Sequence, residues 1–166
     1  MMLFLNNFIS EAMPRRVAEL IIVISAAAIQ SAHLFFIAGL NPNLSAAAIL
    51  ALAYFEKDIL ILWFLALASL IFMLPYPFGF WDGAAFLVAI AVSLLVGAFF
   101  GRRGVQSIPI TALIFTPLFY SLLAPTFVLE NLLLVFYESL LNSVWSLAFA
   151  VFFWYIFSYR TRSFVR

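Results

Sequence analysis

Residues 132–159 read LLLVFYESLLNSVWSLAFAVFFWYIFSY, a run in which Glu138 is the only charged side chain. As a helix it would rise roughly 42 Å, at about 1.5 Å per residue, which exceeds the ~30 Å of hydrocarbon in a bilayer. Strands are rarely that long, and a helix apolar on every side does not lie on the surface of a water-soluble protein. Composition agrees. Hydrophobic residues are 67% and charged residues 9% of the 166 positions, against roughly 45–50% and about 25% in soluble domains. The chain is therefore expected to be an all-α integral membrane protein without a separate soluble domain.

Working outward from that helix, polar or turn-forming residues break the apolar sequence at Asn41-Pro42-Asn43, Glu56-Lys57-Asp58, Pro75 to Asp82, Gly101 to Ser107 and Pro125 to Asn131. Spans are expected between them, at Glu19 to Leu40, Leu44 to Phe55, Ile59 to Leu74, Gly83 to Phe100, Ile108 to Ala124 and Leu132 to Tyr159. The expected fold is a six-transmembrane-helix bundle at 19–159, preceded by a cytoplasmic or interfacial segment at 1–18 and followed by a basic cytoplasmic tail at 160–166. The second span is short. It rises only roughly 18 Å, so it must thin the bilayer, borrow from its loops, or re-enter without crossing.

Charge favours a crossing. With six spans and a cytoplasmic N-terminus, all 8 basic residues (Arg15, Arg16, Lys57, Arg102, Arg103, Arg160, Arg162 and Arg166) fall on the cytoplasmic side, as the positive-inside rule requires. A re-entrant second segment would put Arg15 and Arg16 opposite the others. Both termini are thus expected in the cytoplasm, and the short loops fit a bacterial inner membrane. Arg15 and Arg16 before an apolar run also invite a signal-peptide reading, but the run continues past its small residues to Leu40 and reads better as the first span. The greasy residues before Met13 could lie on the inner leaflet, be disordered, or be held by a partner.

Glu138 is the first position to examine for chemistry, because an acid at that depth is costly and should face the bundle or a wet cavity. At about 100° per residue, Asn131, Glu138, Asn142 and Trp145 fall within roughly 60° of one another on the last helix. One functional reading is a proton-linked or ligand-binding site. The other is a hydrogen-bond clamp that sets helix packing, and it is favoured because interhelical polar bonds are ordinary packing devices worth about 0.6–2 kcal/mol each. His33 with Gln30 and Ser31 reads as a bundle residue. No metal or cofactor is expected, since the chain has one His and no Cys. Asp82 is expected to cap a fourth helix starting at Gly83.

Packing signals are clearer. Gly97 and Gly101 have the small-xxx-small spacing that lets two helices approach closely. Ala26 to Ala28 and Ala46 to Ala48 give the first two spans narrow faces, suited to a tight hairpin across Asn41-Pro42-Asn43. Pro109 can open the fifth helix, whereas Pro117 lies inside it and should kink it unless a neighbour satisfies the freed carbonyl. No nucleophile elbow, zinc-protease motif, Walker loop or dinucleotide fingerprint occurs, so a non-enzyme is expected. The dispersed basic residues give no nucleic-acid footprint.

Several short features taken in order resemble the rod shape-determining protein MreD family. They are Pro42-Asn43 opening the second helix, Tyr76-Pro77-Phe78-Gly79 between the third and fourth helices, the Arg102-Arg103 turn, and Asn142 in a long aromatic last helix followed by a basic tail. The chain departs from that pattern at Ile71-Phe72-Met73-Leu74, where the family often has an acid, and at Ser146-Leu147-Ala148, where it commonly has a proline. The resemblance implies a non-enzymatic scaffold of the bacterial cell-wall elongation machinery. Its implied partners are the bitopic MreC, the actin-like MreB and the wall-synthesising polymerase and transpeptidase. It also implies a six-helix fold akin to the substrate-binding subunits of energy-coupling-factor transporters, and from that kinship comes the alternative of a small-molecule-binding importer subunit. A third alternative is a proton-coupled carrier centred on Glu138. On the scaffold reading, Pro42, Asn43, Pro77, Gly79, Gly97, Gly101, Glu138, Asn142 and Trp145 are partner-contact or helix-packing candidates, and changes at Gly97 or Asn142 should weaken association with a partner span.

Overall fold

The computed structural model describes the backbone of residues 2–32, 40, 42–56, 58–73, 79–99 and 107–162, and the side chains of 15–32, 40, 42–56, 58–72, 79–99 and 107–157. Its regular elements are helices: α1 (Met2–Ser31), α2 (Leu44–Leu52), α3 (Ile59–Met73), α4 (Phe80–Phe99), α5 (Ser107–Leu123), α6 (Pro125–Glu130) and α7 (Leu132–Arg162). Among the described residues two segments, Phe80–Phe99 in α4 and Leu132–Phe157 in α7, are long and apolar enough to cross a membrane by length and composition. α3 and α5 are apolar but shorter. By helix length alone, then, two of the six expected spans are met.

Local chemistry explains where the helices depart from the expected bounds. α1 runs unbroken through residues 18 and 19, so the N-terminal segment is continuous with the first span. Arg15 reinforces that junction by pairing with Glu19, one turn on, at 2.7 Å. α4 begins at Phe80 rather than Gly83, which places Asp82 in its first turn. From there Asp82 Oδ2 accepts the Gly79 N–H at 2.5 Å, the backward half of a capping box. The expected loop at Pro125 to Asn131 contains α6, opened by a proline at its first turn.

The short second helix is the centre of the molecule. α2 packs against α1, α3, α4, α5 and α7, and every one of its residues is buried. Ser45, Ala46, Ala47, Ala48 and Ala51 make this possible, because small side chains let five neighbours close around one axis. At about 1.5 Å per residue α2 is only about 14 Å long. It is enclosed by protein along its length. Around it, α5 lies between α4 and α7, while α1 packs on α3.

α7 shows how the interior and surface differ. Its buried face carries Glu138, Ser139, Asn142, Ser143 and Ser146, whereas Leu133, Phe136, Val144, Val151 and Trp154 are exposed. Water imposes the opposite distribution on an amphipathic helix. α3 likewise exposes Leu60, Phe64, Leu67 and Ile71.

Candidate functional site

The site is built where α2 begins. A helix leaves its first N–H groups without intrahelical acceptors, and in a buried position each must find another. Pro42 is fully buried and brings no N–H of its own. The Asn43 N–H donates to Asn142 Oδ1 on α7 at 2.7 Å. The Leu44 N–H reaches the Pro42 carbonyl at 3.0 Å, and the Ser45 N–H reaches Gln30 Oε1 on α1 at 3.3 Å. The Ala46 N–H donates to Asn43 Oδ1 at 3.0 Å, a side-chain N-cap. The start of α2 is therefore closed by three elements at once.

Asn142 faces two ways. Its Nδ2 donates to Thr116 Oγ1 on α5 at 2.7 Å, so one amide ties α2, α5 and α7 together in a buried place. Asn142 lies ten residues into α7, about 15 Å from its start, which sets the beginning of α2 at mid-depth rather than at an end of the bundle. The expected outer loop at Asn41-Pro42-Asn43 thus has Pro42 and Asn43 inside. One turn nearer the start of α7, Glu138 is buried on the same face, with Tyr120 of α5 as a neighbour. Ser143 Oγ adds a further tie by donating to the Pro109 carbonyl at 3.2 Å.

A second cluster closes the opposite end of α2. Arg15 and Arg16 on α1 both pair with Glu19 and with Glu56, which follows α2. Arg15 Nη2 also donates to the Phe55 carbonyl at 3.3 Å, and its guanidinium lies 4.4 Å from the centroid of the Phe157 ring on α7. The Glu56 carboxylate accepts the Asp58 N–H at 2.9 Å, and Asp58 Oδ1 in turn accepts the Leu60 N–H at 3.0 Å, opening α3. The N-terminal part of α1, the end of α2, the start of α3 and the end of α7 therefore meet.

No protein-family model matches this chain, and no characterised protein or solved structure is significantly similar to it.

The candidate residues divide by what they touch. Pro42, Asn43, Glu138 and Asn142 converge on the buried seam, and Trp145 is half-buried beside Phe149. Asn131 of the expected stripe precedes α7 and bonds its Nδ2 to the Phe127 carbonyl at 3.1 Å. Gly97 is buried on α4, where an added Cβ would stand 2.5 Å from Thr111 Cγ2 on α5. Its role is thus a close approach within the bundle, and a Gly97→Ala variant should lose about 1–3 kcal/mol by overpacking, read as a lower unfolding midpoint in detergent. Gly79 donates to Asp82 and belongs to the α4 cap. Pro77, Gly101 and His33 lie outside the described residues.

Asn142 and Gly97 both make contacts within the bundle. Residue-type patterns on one helix missed Thr116, Tyr120, Gln30 and Glu19, because their partners sit on other helices. The one available signal was that each is a polar residue within an otherwise apolar span. Chemically, the seam is a set of matched donors and acceptors. It can hold helices in register. A cavity of about 30 Å³ near Gly97, between Tyr54 and Thr111, has space for about one water.

Proposed function

We propose that this chain is a multi-pass scaffold subunit of the bacterial inner membrane, non-enzymatic and belonging to the cell-wall elongation machinery, with an MreC-like bitopic protein and associated wall-synthesis proteins as partners. A bilayer explains the outward apolar and inward polar faces of α7. The contacts at the ends support the six-crossing reading. Arg15 and Arg16 meet Glu56, so the chain that leaves along α1 returns to the same side before α3. α2 makes part of that return, which a membrane tolerates where protein encloses the backbone. Phe157 meets Arg15, so α7 ends on that side too, and the basic residues assign it to the cytoplasm.

The observation that carries the scaffold reading is the closed start of α2. In transporters, half-helix N-termini near the midplane offer their N–H groups to anionic substrates. Here the corresponding N–H groups are taken by Asn142, Gln30 and Asn43. Polar groups used in this way build a rigid element rather than a ligand site. Association with the named elongation proteins rests on the MreD resemblance, through Pro42-Asn43 and Asn142.

Affinity purification from native membranes in mild detergent, with mass spectrometry of proteins and small molecules, tests the proposal. The expected result is recovery of wall-elongation proteins without a stoichiometric small molecule. Recovery of a vitamin-like ligand with an ATPase module would move the chain to the importer class.

A further inference from the structure

We infer that the groove between α1 and α3 is a site for an anionic phospholipid of the cytoplasmic leaflet. The groove has a volume of about 300 Å³, with walls formed by Val17, Leu20, Ile61, Phe64 and Leu65 and with Arg16 at its head. Val17 and Phe64 are exposed, so the groove opens sideways from the bundle. In a bilayer that side is lipid.

The ion pairs behind the groove are arranged with Glu19 and Glu56 inside, while Asp58 at the start of α3 is exposed. The Glu19 side chain is 0% and the Glu56 side chain 7% exposed, while those of Arg15 and Arg16 keep 36% and 34%. An approaching group therefore meets the arginine side chains, with the Glu19 and Glu56 carboxylates shielded beneath. The same carboxylates fix the guanidinium positions, so little ordering is left for the ligand to impose. The cluster is balanced in total charge. Its attraction for an anion comes from this layering.

The occupant must join an apolar body to an anionic head within a short distance, since Arg16 and Leu20 are about 6 Å apart along the helix. A phospholipid has that form, and basic pockets between helices on the cytoplasmic side bind such head groups. A partner span fits less well, because its cytoplasmic flank would carry Lys or Arg toward Arg16. This inference rests on the membrane reading and is independent of which proteins co-purify.

The test supplies equimolar phosphatidylglycerol and phosphatidylcholine to the purified chain in detergent and reads retained lipid by native mass spectrometry. Phosphatidylglycerol should be retained about fivefold over phosphatidylcholine, the preference expected for roughly one engaged cation. Arg16→Gln should abolish that preference. Val17→Trp, which fills the groove without touching the ion pairs, should lower retention of both lipids. Equal retention of the two lipids by the unmodified protein would overturn the site. So would undiminished phosphatidylglycerol retention by Val17→Trp, and this variant decides the matter even if Arg16→Gln folds poorly.

Discussion

Asn142→Leu should lower the unfolding free energy by about 2–6 kcal/mol, the summed cost of leaving two buried polar groups without partners at roughly 1–3 kcal/mol each. One is the Asn43 N–H, which loses its acceptor at the start of α2, and the other is the Thr116 hydroxyl on α5. Neither can turn to water, because both are buried in the bundle. Leucine is similar in size, so the loss would come from polarity rather than from a cavity. Thr116→Val should cost less, about 1–3 kcal/mol, since it leaves only the Asn142 Nδ2 unpaired and keeps the α2 cap in place. Denaturant unfolding of the purified protein in detergent ranks the two. Unfolding of Asn142→Leu at the unmodified midpoint would show that the α2 start is satisfied in some other way.

Glu19→Ala is the second large change. Removing one partner of a fully buried ion pair typically costs about 3–5 kcal/mol. Here the arginine side chains stay about a third exposed and keep Glu56 as a partner, so roughly 2–3 kcal/mol is expected after allowing for solvent screening. The loss should appear as a lower thermal midpoint and as earlier proteolysis between α2 and α3, where Glu56 organises the turn. Added salt should reproduce little of it, because screening acts weakly on buried charges. A Glu19→Ala protein as stable as the parent would mean that Glu56 alone holds both arginines.

The two changes probe opposite ends of one short helix, and together they show how α2 is fixed. Asn142 closes its start at mid-depth, while Glu56 and the arginines close the segment that follows it. Between them α2 carries only small and aliphatic side chains, so its neighbours are held by shape. Such a centre suits a rigid scaffold. A pocket there would need some of these polar groups released.

Much of the helical framework was legible in the sequence. The long apolar runs of α4 and α7 announce themselves by composition, and the proline and asparagine at 42 and 43 mark a helix start. Glu138 and Asn142 also stand out, because polar residues are rare within such runs and fall on one face at 3.6 residues per turn. The helix bounds were less legible. Asp82 caps from inside α4 because its side chain reaches back to Gly79, a choice that residue type alone does not make. Pro125 opens a short helix where turn-forming residues had suggested a loop.

The sequence by itself determined the helical content and the polar residues that share one face of α7, because hydropathy and helical periodicity are local properties of the chain. Only the tertiary structure decided what those residues do. It turned Asn142 and Gly97 inward, placed the start of α2 at mid-depth, and joined Arg15 and Arg16 to Glu56 across roughly forty residues of chain. The physical reason is that a hydrogen bond or ion pair needs two partners at a fixed distance, and here those partners stand on different helices whose packing no single segment encodes.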